Sequence, residues 1–73
     1  MPTKQEMADA VKALAEKKYA KSYGFQCFVE CYTNAELLEF VKDCTSIREA
    51  LSLARTIASI RDEQMAGAQA EVF

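Results

Sequence analysis

The sequence predicts an all-α fold: a compact bundle of three to four short helices, at about 4–22, 25–32, 34–43 and 47–65, with dimerisation completing the core. Three observations carry that expectation. Thr3-Lys4-Gln5-Glu6, Thr33-Asn34-Ala35-Glu36 and Ser46-Ile47-Arg48-Glu49 each fit a capping box, in which a hydroxyl caps the N3 amide and the Glu reaches back to the N-cap amide. Each box precedes an apolar run of helical period. With two glycines and one proline in 73 residues, the chain lacks the turn material that a β architecture of this size needs.

The first helix is expected from Lys4 to Ser22. Met7, Ala10, Val11 and Leu14 form its core stripe by the i, i+3, i+4, i+7 rule. Lys17, Lys18 and Lys21 continue the same arc, where cations complement the helix C-terminal dipole, and Gly24 reads as the stop. Residues 25–32 are the ambiguous stretch. Phe25, Phe28, Val29 and Tyr32 fall on one helical arc, yet the residue types favour strands. A lone strand would leave its backbone groups unpaired, so helix is the better assignment.

The next helix covers about Asn34 to Asp43, with Leu37, Leu38, Phe40 and Val41 apolar; its phase shift against 25–32 places a break near Thr33. The last helix runs from Ile47 to about Met65 with a wide face of Ile47, Ala50, Leu51, Ala54, Ile57, Ala58 and Arg61, extended by Leu53 and Ile60. The short connection Cys44-Thr45-Ser46 makes these two helices neighbours. Residues 1–66 then form one helical domain, and Gly67 starts a frayed tail over 67–73.

Composition narrows the chemistry. Histidine and tryptophan are absent, which removes the commonest general base and the commonest metal ligand. The net charge of −2 lacks the basic excess of most nucleic-acid binders. It is uneven, with five lysines against three acids in residues 1–24 and four bases against eight acids in the rest. Three cysteines, Cys27, Cys31 and Cys44, with no secretory leader read as reduced thiols in a cytoplasmic protein. No run approaches the length of a membrane span.

The cysteines are expected to be buried small hydrophobes, since structural zinc wants four ligands and no histidine is present. The flanking Glu30 and Asp43 disfavour a reactive thiolate. The carboxylate pairs Glu36/Glu39 and Asp62/Glu63 read as solvated helix faces. No phosphate-binding glycine loop or hydrolase motif occurs. No catalytic residue, metal or cofactor is expected, and neither a small-molecule substrate nor a membrane.

A strand at 25–31 followed by helices at 34–43 and 46–64 would resemble a ribbon-helix-helix repressor, and Ile47-Arg48-Glu49-Ala50-Leu51 is similar to that family's second-helix start. The pattern departs where it matters: the first helix is too short, the Gly-x-Ser type turn is missing, and Phe28 and Glu30 stand where base-reading polar side chains belong.

The functional expectation is a non-catalytic protein–protein interaction module, a regulatory or inhibitory accessory protein that by analogy of class alone suits a phage or plasmid. Its partner is a second copy or a larger protein. Binding is assigned to the aromatic cluster Phe25, Phe28, Tyr32 and Phe40, rimmed by Glu30, Glu36 and Glu39. The alternative is a nucleic-acid-associated regulator using Lys12, Lys17, Lys18 and Lys21, with Tyr19 and Tyr23 interleaved.

Overall fold

The computed structural model describes the backbone of residues 1–71 and the side chains as far as Met65. Among these residues the chain is all-α: α1 (Lys4–Lys18), a 3₁₀ turn (Tyr19–Lys21), α2 (Tyr23–Glu30), α3 (Asn34–Phe40) and α4 (Ile47–Glu71), with no strand. Residues 25–30 are therefore helical, and the strand that a ribbon-helix-helix arrangement needs does not form.

The helix starts follow the capping logic. The Thr3 hydroxyl accepts the Glu6 amide at 3.1 Å while the Thr3 amide donates to the Glu6 carboxylate at 3.3 Å. Thr33 and Glu36 repeat the exchange, at 3.2 Å in each direction. The third box is altered. Ser46 accepts the Glu49 amide at 3.1 Å, but the Glu49 carboxylate turns to the Thr45 hydroxyl at 2.9 Å and the Thr45 amide at 3.4 Å.

Several boundaries differ from the sequence expectation, those of α2 included, which spans Tyr23–Glu30 rather than 25–32. The helix expected to reach Ser22 ends at Lys18, because Ser22 is extended (φ −144°, ψ 117°) and caps α2 by accepting the Phe25 amide at 3.3 Å. Gly24 is accordingly no stop signal; it lies in the first turn of α2 against α4. Helix α3 ends at Phe40 rather than Asp43. The carbonyls beyond it, of Val41, Lys42 and Cys44, accept from the Lys4 ammonium, at 3.5 Å for Val41 and 3.0 Å for Cys44. Helix α4 passes through Gly67 to Glu71. One glycine costs about 1 kcal/mol in a helix, and its neighbours Ala66, Ala68, Gln69 and Ala70 are strong helix formers that offset it. Of the tail expected at 67–73, residues 72–73 lie outside the described part.

Helix α4, 25 residues and so roughly 37 Å long, is the spine of a molecule of 48 × 19 × 18 Å. Helices α1 and α2 pack on it and on each other, and α3 packs on α1. The face of α4 that they cover is a ladder of Ala50, Ala54 and Ala58, all fully buried. Such short side chains let the neighbouring backbones close in, most of all at Gly24: a Cβ there would lie 2.3 Å from the Ala58 carbonyl oxygen and 2.5 Å from its Cα. In α1 the stripe is Met7, Ala8, Val11 and Ala15; Ala10 and Leu14 are only half-buried. Phe28, Met7, Leu37, Val11 and Val41 are the largest fully buried side chains. Ile47, expected on the core face, is exposed at the helix start. One chain thus closes a core by itself, which spends inside the monomer much of the apolar surface expected to drive association. No helix among the described residues is long and apolar enough to cross a membrane.

Candidate functional site

The four aromatic residues assigned to binding do come together, but around a centre that no partner can touch. Phe28 is fully buried. Tyr32 and Phe40 meet its ring edge-on, with centroids 4.9 and 5.0 Å away, and Phe25 lies 6.5 Å away at a tilt. Phe28 is therefore the hub of the core rather than a contact residue. A helical stripe of this kind carries the same pattern in both roles, and only the packing separates them.

What the cluster offers outward is its edge. Half-buried Tyr32 and Phe40, centroids 6.2 Å apart and ring planes at 78°, line a shallow depression of about 280 Å³ together with Glu36 and Glu39. The edge exists because α2 delivers Tyr32 just beyond its last turn, while Thr33 caps α3 and swings Phe40 back onto Phe28. Arg61 of α4 fixes it from behind. Its guanidinium carbon stands 5.1 Å from the Phe28 ring centre and 5.2 Å from that of Tyr32, and its Nη2 donates to the Tyr32 hydroxyl. Among the described residues Arg61 Nη1 is buried without a hydrogen-bond partner, and the guanidinium lies over the two π faces, which attract a cation. From sequence alone Arg61 belongs to the apolar face of the last helix and has no such role; an arginine in phase with alanines and isoleucines is the available signal.

The acidic rim is mostly engaged locally. The Glu36 carboxylate serves the Thr33 cap, Glu39 pairs with Lys42, and Glu30 accepts from the Gln26 amide at 3.2 Å, away from the depression. The hydrogen bond to Glu39 holds the Lys42 ammonium above its ordinary pKa. Of the three acids, Glu36 and Glu39 border the aromatic edge and Glu30 does not.

Lys12, Lys17, Lys18 and Lys21 are all exposed, on α1 and the 3₁₀ turn, beside Tyr19 and Tyr23, which are 46% and 48% exposed. None of these lysines forms an ion pair among the described residues.

The cysteines separate into two environments. Cys44 is buried, and burial followed by the charge of Glu49 pushes its thiol up. Cys27 is half-buried and Cys31 exposed, one turn apart on α2, so the expectation of three buried thiols holds for Cys44 alone. Partial desolvation and then the neighbouring Cys27 raise the Cys31 thiol; hydrogen bonding to Cys27 raises the Tyr23 phenol. Raised values keep both groups protonated at neutral pH, the opposite of an activated nucleophile. The described residues hold no group of three or more Cys, Asp or Glu placed to share a metal ion.

A second, larger depression of about 590 Å³ follows the α3–α4 elbow, lined by residues that include Cys44, Arg48, Leu53 and Thr56. Its volume is that of a ligand site, but Ser46 and Glu49 in its wall are occupied as helix caps, and it lacks the enclosed, converging polar groups that orient a small molecule. The carboxylates Asp62 and Glu63 also part company. Asp62 accepts from the Ser22 hydroxyl at 2.6 Å and the Gly24 amide at 2.8 Å, capping α2 from α4, while Glu63 is exposed. No protein-family model, curated protein or solved structure matches this chain.

Proposed function

We propose that the protein is a small, non-catalytic, cytoplasmic interaction module that docks on a larger protein through the edge formed by Tyr32 and Phe40, with Glu36 and Glu39 at its border. The observation that carries this reading is the pre-set geometry of that edge. Two half-buried rings are held at a fixed angle by Phe28 beneath and Arg61 behind. Rings already ordered in the free protein spare most of the side-chain ordering cost of association, about 0.5–1.5 kcal/mol each. A core closed within one chain favours a different protein over a second copy as the partner. The raised Cys31 and Cys44 thiols and Tyr23 phenol, with no enclosed polar pocket among the described residues, support a binding rather than a catalytic role.

A second reading, a nucleic-acid-associated regulator, draws on the unpaired Lys17, Lys18 and Lys21 beside the exposed Tyr19 and Tyr23, with Lys12 further along α1. Lysines would neutralise phosphates and tyrosines stack on bases.

One experiment addresses both. Phe28→Asp would unfold the core, so the informative variants are Phe40→Ser, checked for retained helicity, and Glu39→Lys, whose side chain is 70% exposed and whose loss cannot disturb packing. Affinity capture from cells is run with these, with the wild type and with Lys17→Glu/Lys21→Glu, alongside light scattering across a concentration range. The reading expects a defined protein partner lost with Phe40→Ser, weakened by Glu39→Lys, and retained by the double lysine variant. Salt-sensitive nucleic-acid retention that vanishes only in the lysine variant transfers the function to α1. A concentration-dependent dimer dispersed by Phe40→Ser assigns the edge to self-association instead.

A further inference from the structure

We propose that Cys27 and Cys31 form a two-thiolate site for a soft, thiophilic d¹⁰ cation of the copper(I) type. The site lies on the outer strip of α2, apart from the Tyr32/Phe40 edge, and does not depend on how that edge is used.

The placement carries the inference. Of the three cysteines, only Cys44 is used as core filling; Cys27 is half-buried and Cys31, the residue closing α2, is exposed. Residues four apart on a helix share one side with Cβ atoms about 5–6 Å apart. A direct disulfide wants about 3.8 Å between Cβ atoms, so oxidation of this pair requires unwinding the helix. A bridging metal atom takes up that difference with α2 intact.

The donor set then selects the ion. Two thiolates with no histidine in the chain and no third ligand among the described residues are too few for tetrahedral zinc. Soft thiolate donors select copper(I), for which two ligands suffice. Binding releases both S–H protons to solvent and forms two Cu–S bonds, leaving a bis-thiolate centre with one net negative charge; the copper stays in the +1 state. Partial desolvation and then the neighbouring Cys27 hold the Cys31 thiol up, so the protons leave only as copper binds.

The test is a titration of the whole chain with copper(I) held by a competing chromophoric chelator under reducing, anaerobic conditions, with mass measured in parallel. The expected result is one copper per monomer. Cys27→Ser and Cys31→Ser should each weaken binding by roughly 10²–10⁴-fold, the range lost when an intramolecular second attachment is removed. Cys44→Ser should leave it unchanged, with circular dichroism showing that all three variants remain helical. The proposal is overturned if Cys44→Ser loses copper equally. It is also overturned if Cys27→Ser keeps copper while doubling in mass, or if wild type competes no better than the single-thiol variants.

Discussion

The α2–α4 seam and the α1–α3 seam hold the same small bundle together by opposite means. At the first, Gly24 lies against the backbone of Ala58, Phe28 fills the core beside Arg61, and Asp62 caps α2 from across the interface. These contacts are close and at least partly buried, and at Gly24 there is no room for a side chain. At the second, α3 packs on α1 with Leu37 buried, and its polar contacts are looser: Gln5 and Asn34 exchange amide bonds at the surface at 2.9 and 3.2 Å, and the Lys4 side chain reaches the part-buried carbonyls of Val41 and Cys44 just past α3. Water can replace the Gln5–Asn34 bonds, whereas nothing can relieve the backbone contact at Gly24. The two seams should therefore differ in how steeply they respond to a single atom.

The largest effect is expected at Gly24. A methyl group there meets the Ala58 oxygen, Cα and carbonyl carbon at 2.3, 2.5 and 2.7 Å, all backbone atoms, so a whole helix must move. Overpacking of this kind typically costs 1–3 kcal/mol and occasionally more. Gly24→Ala should stand at the top of that range, about 3 kcal/mol, against a total of roughly 4–11 kcal/mol for a domain of this length. The melting temperature followed by helical circular dichroism should fall by about 12–24 °C. Because the clash is with main chain, Ala58→Gly in the same molecule should not restore it. A rescued double variant would mean that the seam is set by side chains after all.

Asp62 comes next. Its carboxylate accepts from the Ser22 hydroxyl and the Gly24 amide, and Ser22 in turn accepts from the Phe25 amide. Loss of a cap costs about 0.5–2 kcal/mol, and this one also releases a long-range tether between helices. Asp62→Ala should destabilise by about 1.5–2 kcal/mol, and amide exchange should quicken first at Gly24 and Phe25. An unchanged exchange rate there, with lower global stability, would show that Asp62 matters through α4 alone.

These two seams also mark where sequence reading succeeds. Thr3, Thr33 and Ser46 are local signals: each hydroxyl and its amide lie three residues apart, so the helix starts they mark are legible without knowing the fold. Gly24 and Asp62 act across 34 and 38 residues of sequence separation. Locally, Gly24 is a stop signal and Asp62 a solvated acid; only α4 alongside gives them their other roles. Phe28 illustrates the same limit for the site. Its spacing groups it with Phe25, Tyr32 and Phe40, but whether a shared aromatic stripe is core or surface depends on what α4 places over it, and Arg61 sits there.

The smallest effect should come from Lys4, whose ammonium donates to the carbonyls of Val41 and Cys44 at 3.5 and 3.0 Å, and also to that of Lys42. A cation at these carbonyls, just past the end of α3, is worth about 0.3–1 kcal/mol, and partial solvent exposure puts Lys4 toward the lower figure. Replacing it with methionine keeps the aliphatic stem and removes only the charge and the donors. Lys4→Met should lower the melting temperature by about 2–4 °C at low salt. The difference from wild type should shrink as ionic strength rises, because screening weakens exposed charge interactions within a Debye length of about 10 Å at 0.1 M. Gly24→Ala, by contrast, should keep its full penalty at any salt, since a steric overlap has no charge to screen. If Lys4→Met proved as costly as Asp62→Ala and indifferent to salt, the α1–α3 seam would have to be as tightly built as α2–α4, and the contrast between the two would collapse.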